Sequence, residues 1–477
     1  MTPTSPGELA IVLHTHMPYV EGGGAWPPDD QDAFVRAPAG FGTWPFGEEW
    51  LWEAIATSYL PLLDVLGRGP ITLSLTPVLC DQLEAPGLTE RCLAFLREIR
   101  PESHRRDVRA FRSAGRHALA AELERSAAEY AAAADRLAGL RGGLLAALGE
   151  HVRWTSSATH AVLPLLATDS GISLQLQTGI ASHRRRFGAW SGGFWLPECA
   201  HAPWLDALLE DAGVRATCVE LTGVFGLGDP RHLQPQASEE GPVLWPIDRE
   251  TIALVWSEQG YPASGAYRDY HRLTPHHHRA FSNDGRPYDS ARAQAAIAQH
   301  ARDFVGRVRE RVHDGGVCVC ALDTELLGHW WYEGVRWLAA VLDEAAREGL
   351  ALTTLDEALT RHEPVAGPAE LPGTSWGEGG DLRTWSGPRV AGIAWRARTA
   401  ELRAAAARER VGERALRELL ALQSSDWAFL VSRELAGEYP AERADGHAAA
   451  LEQALHGEPG LDPALRHLAP ELVGWEG

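Results

Sequence analysis

The chain contains no lysine: its 44 basic residues are all arginine, set against 64 Asp and Glu for a formal net charge of −20. That absence closes Schiff-base and pyridoxal chemistry and removes the lysine of a phosphate-binding loop. A compositional bias of the whole genome is its plainest source. With no cationic excess there is no phosphate-tracking surface, so neither nucleic acid nor an anionic membrane is an expected partner. Cysteine is scarce as well. The six thiols (Cys80, Cys92, Cys199, Cys218, Cys318 and Cys320) lack C-x-x-C spacing, and four lie in or beside apolar runs, so they read as reduced and structural. The lone asparagine, Asn283, is followed by Asp-Gly and forms no glycosylation sequon. No basic n-region opens the chain, and the first apolar run, residues 9–13, is too short for a signal or spanning segment. The expectation is a cytoplasmic protein.

What is present over 477 residues is enough for one large domain with additions or for two to three units. Short apolar, β-rich runs at residues 9–13, 71–76, 193–196, 214–219, 251–256, 317–322 and 351–354 alternate with helical stretches. That is the pattern of βα units around a parallel sheet, hence an α/β fold. Residues 86–168, rich in Ala, Leu, Arg and Glu at helical spacing up to residue 149, read as an inserted helical subdomain. Residues 389–477 read as a C-terminal helical domain, which leaves 1–85 and 169–388 to the strand-bearing unit. The Gly-rich stretch 373–380 reads as a loop over the sheet edge.

In a barrel of parallel strands the reactive groups sit just past the carboxyl ends of the strands. The first candidate strand runs into His14-Thr15-His16-Met17-Pro18, where a period of two puts both imidazoles on one face. Others run into Trp195-Leu196-Pro197-Glu198-Cys199-Ala200-His201, into Glu220, and into Asp323-Thr324-Glu325-Leu326-Leu327-Gly328-His329-Trp330-Trp331. Carboxylates beside adjacent Trp residues are poorly explained as solvated loops, since Trp is costly to expose and charge is costly to bury. Glu198 and Asp323 together suit glycoside chemistry, in which one carboxyl attacks the anomeric carbon and the other protonates the leaving oxygen while indoles stack on sugar rings. A structural ion pair explains either acid alone equally well.

Two alternatives stand beside this reading. His-x-His on a first strand, with His160 and Asp323, is also a way to build a metal-dependent hydrolase. A non-catalytic sugar-binding protein keeps the same cleft without turnover. The tract 276–278 reads as exposed loop histidines despite its metal-binding composition. Gly373-Thr374-Ser375-Trp376-Gly377 fits the G-x-S-x-G pattern but follows Pro372 and opens no helix, so it lacks the strand-turn-helix context of a serine nucleophile. Gly226-Leu227-Gly228 likewise lacks the third glycine of a dinucleotide fingerprint.

At these residues the chain resembles glycoside hydrolase family 57, most closely its α-1,4-glucan branching enzymes. The resemblance is carried by His14-Thr15-His16-Met17-Pro18, Ala158-Thr159-His160 with Leu163-Pro164-Leu165-Leu166, Trp195-Leu196-Pro197-Glu198-Cys199-Ala200, Asp323 to Trp331, Ser375-Trp376-Gly377-Glu378-Gly379-Gly380, and Gln423-Ser424-Ser425-Asp426-Trp427. It implies a distorted (β/α)7 barrel and a retaining mechanism without metal or other cofactor, with Glu198 as nucleophile and Asp323 as general acid/base. It also implies that His14, His16 and His160 hold sugar hydroxyls or orient the nucleophile, that Trp26, Trp256, Trp376 and Trp385 stack on glucan, and that Asp426 and Trp427 belong to a motif closing over the cleft. The implied partner is an α-glucan, amylose or glycogen-like. Two departures stand out. Residues 221–255 are shorter than the family's loop and lack its Tyr, and His201-Ala202-Pro203-Trp204 replaces the usual aromatic and Pro-Gly. The short loop implies branching accompanied by a sizeable hydrolytic share.

Overall fold

A computed structural model of the chain describes residues 7–20, 47–407, 411–457 and 467–475. Trp26 lies outside the described residues. Strand β1 (Glu8–Thr15) has eight residues, all buried, as a strand must be when both faces of its sheet are covered. It pairs in parallel with β2 (Thr72–Leu75) on one side and β8 (Val317–Asp323) on the other. Strands β3 (Val152–Ser156) and β4 (Phe194–Trp195) extend the sheet beyond β2, and β9 (Ala351–Thr353) pairs with the start of β1. A second group holds β5 (Ala216–Val219) parallel to β7 (Val243–Pro246), with β6 (Gln236–Ala237) antiparallel to β7 and β10 (Val365–Ala366) outside it.

Two contacts join the groups. A bridge between Gly193 and Ala216 links the start of β4 to β5. Beyond β7, the Asp248 amide donates to the Val319 carbonyl of β8 at 2.9 Å. The circuit β1-β2-β3-β4-β5-β7-β8 is therefore a distorted (β/α)7 barrel, the expected fold class.

Three expectations need correction. Residues 251–256 are not a strand: helix Arg249–Ala253 occupies the site, with Asp248 as N-cap accepting from the Thr251 amide at 3.0 Å. The strand of that wall is β7, only four residues long and ending in proline. The insert also ends early. Helices Leu88–Ala94, Arg100–Ser113, His117–Gly139 and Gly143–Gly149 lead straight into β3, so the last part of residues 86–168 belongs to the barrel. The tract 276–278 is not a freely exposed loop. His278 is buried with its ring centroid 3.6 Å from that of His104, and His276 Nδ1 lies 2.7 Å from an Asp107 carboxyl oxygen.

The C-terminal region is helical throughout its described elements, Ala391–Ala407, Glu413–Leu422, Ser425–Ser432 and Tyr439–Leu455. Leu416, Leu419, Leu420, Trp427 and Leu451 build its core, and Tyr19, Val78 and Leu174 of the barrel unit join that core. The domain is thus fixed to the strand ends by shared apolar burial. All six cysteines are buried and unpaired.

Gly193 sits at the β4–β5 seam, where a Cβ would fall 2.1 Å from the indole nitrogen of Trp154 in the barrel core. Gly193→Ala is expected to lower the denaturation midpoint, with an overpacking cost of roughly 1–3 kcal/mol. A midpoint equal to wild type in a urea titration followed by tryptophan fluorescence contradicts that packing.

Candidate active site

The parallel register sets His14 opposite Ser74 on one neighbour and opposite Asp323 on the other, so three polar residues arrive at one height at the carboxyl ends of the strands. His14 Nδ1 lies 3.3 Å from Ser74 Oγ, and its Nε2 lies 2.8 Å from His160 Nε2. His160 Nδ1 lies 2.8 Å from Ser425 Oγ, which donates to Glu198 Oε1 at 3.0 Å. Trp376 Nε1 donates to the other carboxyl oxygen of Glu198 at 2.7 Å. Glu198 is therefore clamped from two sides, by the loop of residues 373–380 and by the C-terminal domain.

A second chain runs beside the first. His16 Nδ1 lies 3.1 Å from Thr76 Oγ1, and its Nε2 lies 3.0 Å from Asp426 Oδ2. The His16 amide donates to Glu325 Oε1 at 3.1 Å, and the Tyr59 hydroxyl donates to the same oxygen at 2.6 Å. The Trp195 indole stacks on His14 with centroids 4.7 Å apart and meets Trp376 edge to face at 5.2 Å. Backbone strain gathers at two of these residues and at the neighbour of one. His160, Glu198 and Cys199 have φ of 60°, 64° and 50°, in the left-handed region that non-glycine residues seldom occupy.

The charges divide sharply. Burial, then the neighbouring imidazoles His160 and His16, holds His14 well below the usual histidine range. Burial and His16 do the same to His160. Both rings are neutral at pH 7. For His16 burial opposes protonation, but the Asp426 carboxylate overcomes it and raises the imidazole. Burial works against Asp426 too, and the pull of His16 leaves its carboxyl lowered. Burial pushes Glu198 up to about 7 against the donors Trp376 and Ser425, and pushes Glu325 up to about 7 against Tyr59. Asp323 is raised well above the carboxylate range by burial and then by the negative neighbours Glu198, Glu325 and Asp426. One carboxyl thus has donors that favour its anion, while the other has neighbours that favour its acid.

The other expected residues divide into two groups. Trp256 leaves 48% of its surface exposed, a free indole face near the end of helix Arg249–Ala253. Trp385 is 2% exposed and packs against Gly377, and Trp427 is fully buried with its Nε1 donating to the Ala421 carbonyl. Both indoles are enclosed by protein in this structure. Asp426 reaches the site through His16. Sequence reasoning gave no role to Ser425, Glu325, Tyr59, Ser74 or Thr76. Ser425 and Glu325 stood inside quoted motifs, whereas Tyr59 lies 266 residues from its partner and carries no local signal. His201, the departing residue, is buried with Nε2 2.7 Å from Asp206 Oδ1, and its backbone pairs with Thr374 to seat the Trp376 loop.

A pair of partly buried, aromatic-lined carboxyls at the strand ends of a parallel barrel is a glycoside-cleaving arrangement. Residues 154–368 match Glycosyl hydrolase family 57, and residues 392–457 match the 1,4-alpha-glucan branching enzyme C-terminal domain. A probable 1,4-alpha-glucan branching enzyme of Mycobacterium tuberculosis is 33% identical, covering 94% of this chain and 91% of its own length. A 1,4-alpha-glucan branching enzyme of Thermococcus kodakarensis is 31% identical over 92% of this chain and 71% of its own. The crystal structure of a GH57-type branching enzyme from Pyrococcus horikoshii superposes with a TM-score of 0.82 at 30% identity, covering 98% of this chain and 94% of that one. An α-amylase of Thermotoga maritima, 24% identical with a TM-score of 0.74 over 97% of this chain and 96% of its own, shares the fold. The chain belongs to glycosyl hydrolase family 57.

His16, His160 and Asp426 offer ligand atoms within 4.8 Å of one another, and this trio includes neither His14 nor Asp323. Every ring nitrogen of His16 and His160 already has a protein partner, so a metal ion there must displace those contacts. Purified protein dialysed against zinc is expected to retain less than stoichiometric metal after gel filtration, read by elemental analysis. One equivalent retained by wild type and lost in His16→Ala revives the metal-dependent reading.

Proposed function

We propose that the protein is a retaining α-glucan-active enzyme that cleaves α-1,4 linkages and transfers the released chain to a glucan 6-hydroxyl. Glu198 attacks the anomeric carbon and forms a glycosyl ester. Asp323 gives its proton to the departing oxygen, then as carboxylate takes the proton of the incoming hydroxyl. His14, His16 and His160 hold hydroxyls or orient Glu198 through Ser425, and Trp256 and Trp376 flank the sugar. The reading is carried by the divergence of the two carboxyls: donors aimed at both oxygens of Glu198, and burial among negative neighbours for Asp323. The branching enzymes it resembles along almost the whole chain supply the substrate class.

The six unpaired buried thiols, which suit a reducing compartment, support a cytoplasmic setting. Among the described residues, no helix is long and apolar enough to cross a membrane. The acidic net charge gives nucleic acid no footing.

Glu198→Gln and Asp323→Asn should each cut turnover by roughly 10³-fold or more while the fold persists. With Glu198 near 7, wild-type activity should fall as pH drops through that value, because the nucleophile gains a proton. Ser425→Ala removes a donor that favours the anion, so this limb should move to higher pH, and Ser425→Thr should restore it. Near-native activity in either carboxyl variant overturns that residue's role.

Branching and hydrolysis compete for the glycosyl ester according to how well water is excluded and the acceptor held. Residues 221–255 are largely taken up by helix Thr222–Phe225, the turn Pro230–Leu233, β6, β7 and helix Arg249–Ala253, which leaves little free loop to cover the acceptor side. We therefore assign the enzyme a sizeable hydrolytic share. Incubation with amylose should yield both α-1,6 linkages and new reducing ends, and a longer Tyr-bearing graft should raise the first relative to the second. Branching by wild type with negligible reducing-end release contradicts the assignment.

A further inference from the structure

A cavity of about 1150 Å³ lies between the helical insert, residues 268–279 and the loop that follows β8, and neither Glu198 nor Asp323 lines it. We propose that this cavity binds a run of α-glucan remote from the bond being broken; the inference rests on the functional reading above and assigns that reading a second binding region. Its position supports this. Gly328, His329 and Trp330 of its wall follow Asp323 on the same loop, and Leu430 follows Asp426 by one turn of helix Ser425–Ser432. The cavity thus abuts both elements that carry the site.

Its surface suits a neutral, ring-shaped ligand with many hydroxyls. Trp50, Tyr130, Tyr270, Trp330 and Tyr332 line it, and the rings of Tyr270 and Trp330 lie 4.7 Å apart at 39°, an aromatic corner against which the C–H groups of sugars can pack. The cations of the wall are engaged by the protein itself. Arg100 pairs with Glu53 at 2.5 Å, Arg136 holds both oxygens of Asp64 at 2.7 Å, and Arg279 lies over the Tyr270 ring at 4.0 Å. A phosphate or carboxylate ligand would have to compete with those contacts, whereas an uncharged glycan does not.

One acid of the wall is left over. Glu49 is 1% exposed, and apart from the pull of its own amide no described residue bonds its carboxyl. Burial, reinforced by Glu48 and Glu53, pushes it up to about 8, so at neutral pH it carries a proton and has the capacity both to donate and to accept. Both of its oxygens are shut off from solvent, so a sugar diol reaches them only where binding opens the wall, and it then supplies the partners of both kinds that a buried carboxyl needs.

The test uses the full chain with Tyr270→Ala, Glu49→Leu and Glu49→Gln, each checked for a wild-type melting midpoint. KM and kcat are measured on amylose and on a short maltooligosaccharide, and amylose affinity is read separately by retardation in amylose-loaded gels. The expected result for Tyr270→Ala and Glu49→Leu is a KM for amylose raised about fivefold, with kcat and the short substrate unchanged. Glu49→Gln, which still donates and accepts, should stay near wild type. Unchanged amylose KM and retardation in the first two variants overturn the inference, as does an equal loss on both substrates. Should wild type turn over neither substrate, the functional reading fails while gel retardation of wild type against Tyr270→Ala still judges the cavity.

Discussion

A single hydroxyl, Ser425 Oγ, stands between the His160 ring and the Glu198 carboxyl, and it comes from the last domain of the chain. Without it the line Ser74–His14–His160 would end at an unsatisfied nitrogen, and Glu198 would keep only the Trp376 donor. A hydrogen bond to a charged group contributes about 1.5–3 kcal/mol, more than a neutral one, and an unmatched buried partner costs as much. The shared apolar core that fixes the C-terminal helices to Tyr19, Val78 and Leu174 therefore does more than add stability. It holds a donor where the barrel needs one.

The same constraint explains how strained backbone survives at the strand ends. A non-glycine residue in the left-handed region costs about 1–3 kcal/mol and persists only where its surroundings over-determine it. Glu198 is gripped through both carboxyl oxygens, and its carbonyl accepts from the Trp376 amide at 2.9 Å. His160 is held through both ring nitrogens, and its carbonyl accepts from the Ser425 amide at 3.1 Å. The turn after each strand is bent so that a side chain faces the barrel mouth. In each case the contact that stabilises the bend comes from sequence more than 170 residues away.

Three of the strands whose carboxyl ends bear chemistry were the most legible. β1, β4 and β8 are apolar runs broken by His, Glu or Asp, and burial on both faces leaves an unbroken pattern. Elsewhere the pattern misleads. Thr251-Ile252-Ala253-Leu254-Val255-Trp256 suits strand and buried helix equally, since a short apolar run has no period to read, and the deciding signal was the Asp248 cap just before it. β3 hides its Trp154 behind the exposed Arg153 and so looks like the tail of a helix. The carboxyls and histidines were visible as residue types in motifs. Their clamps were not, because a hydrogen bond across 227 positions leaves no local spacing. Trp385 and Trp427 turn inward while Trp256 turns outward, a difference that a sequence without geometry does not show.

Because the Glu198 clamp is completed by helix Ser425–Ser432, order of synthesis enters the chemistry. A ribosome-bound chain carries Glu198 long before it carries the hydroxyl that holds it. Until the C-terminal helices emerge and dock, Glu198 has one fewer donor favouring its anion, and His160 has no partner on Nδ1. The nascent barrel thus presents a carboxyl whose setting is incomplete, and folding of the later helices is what finishes it.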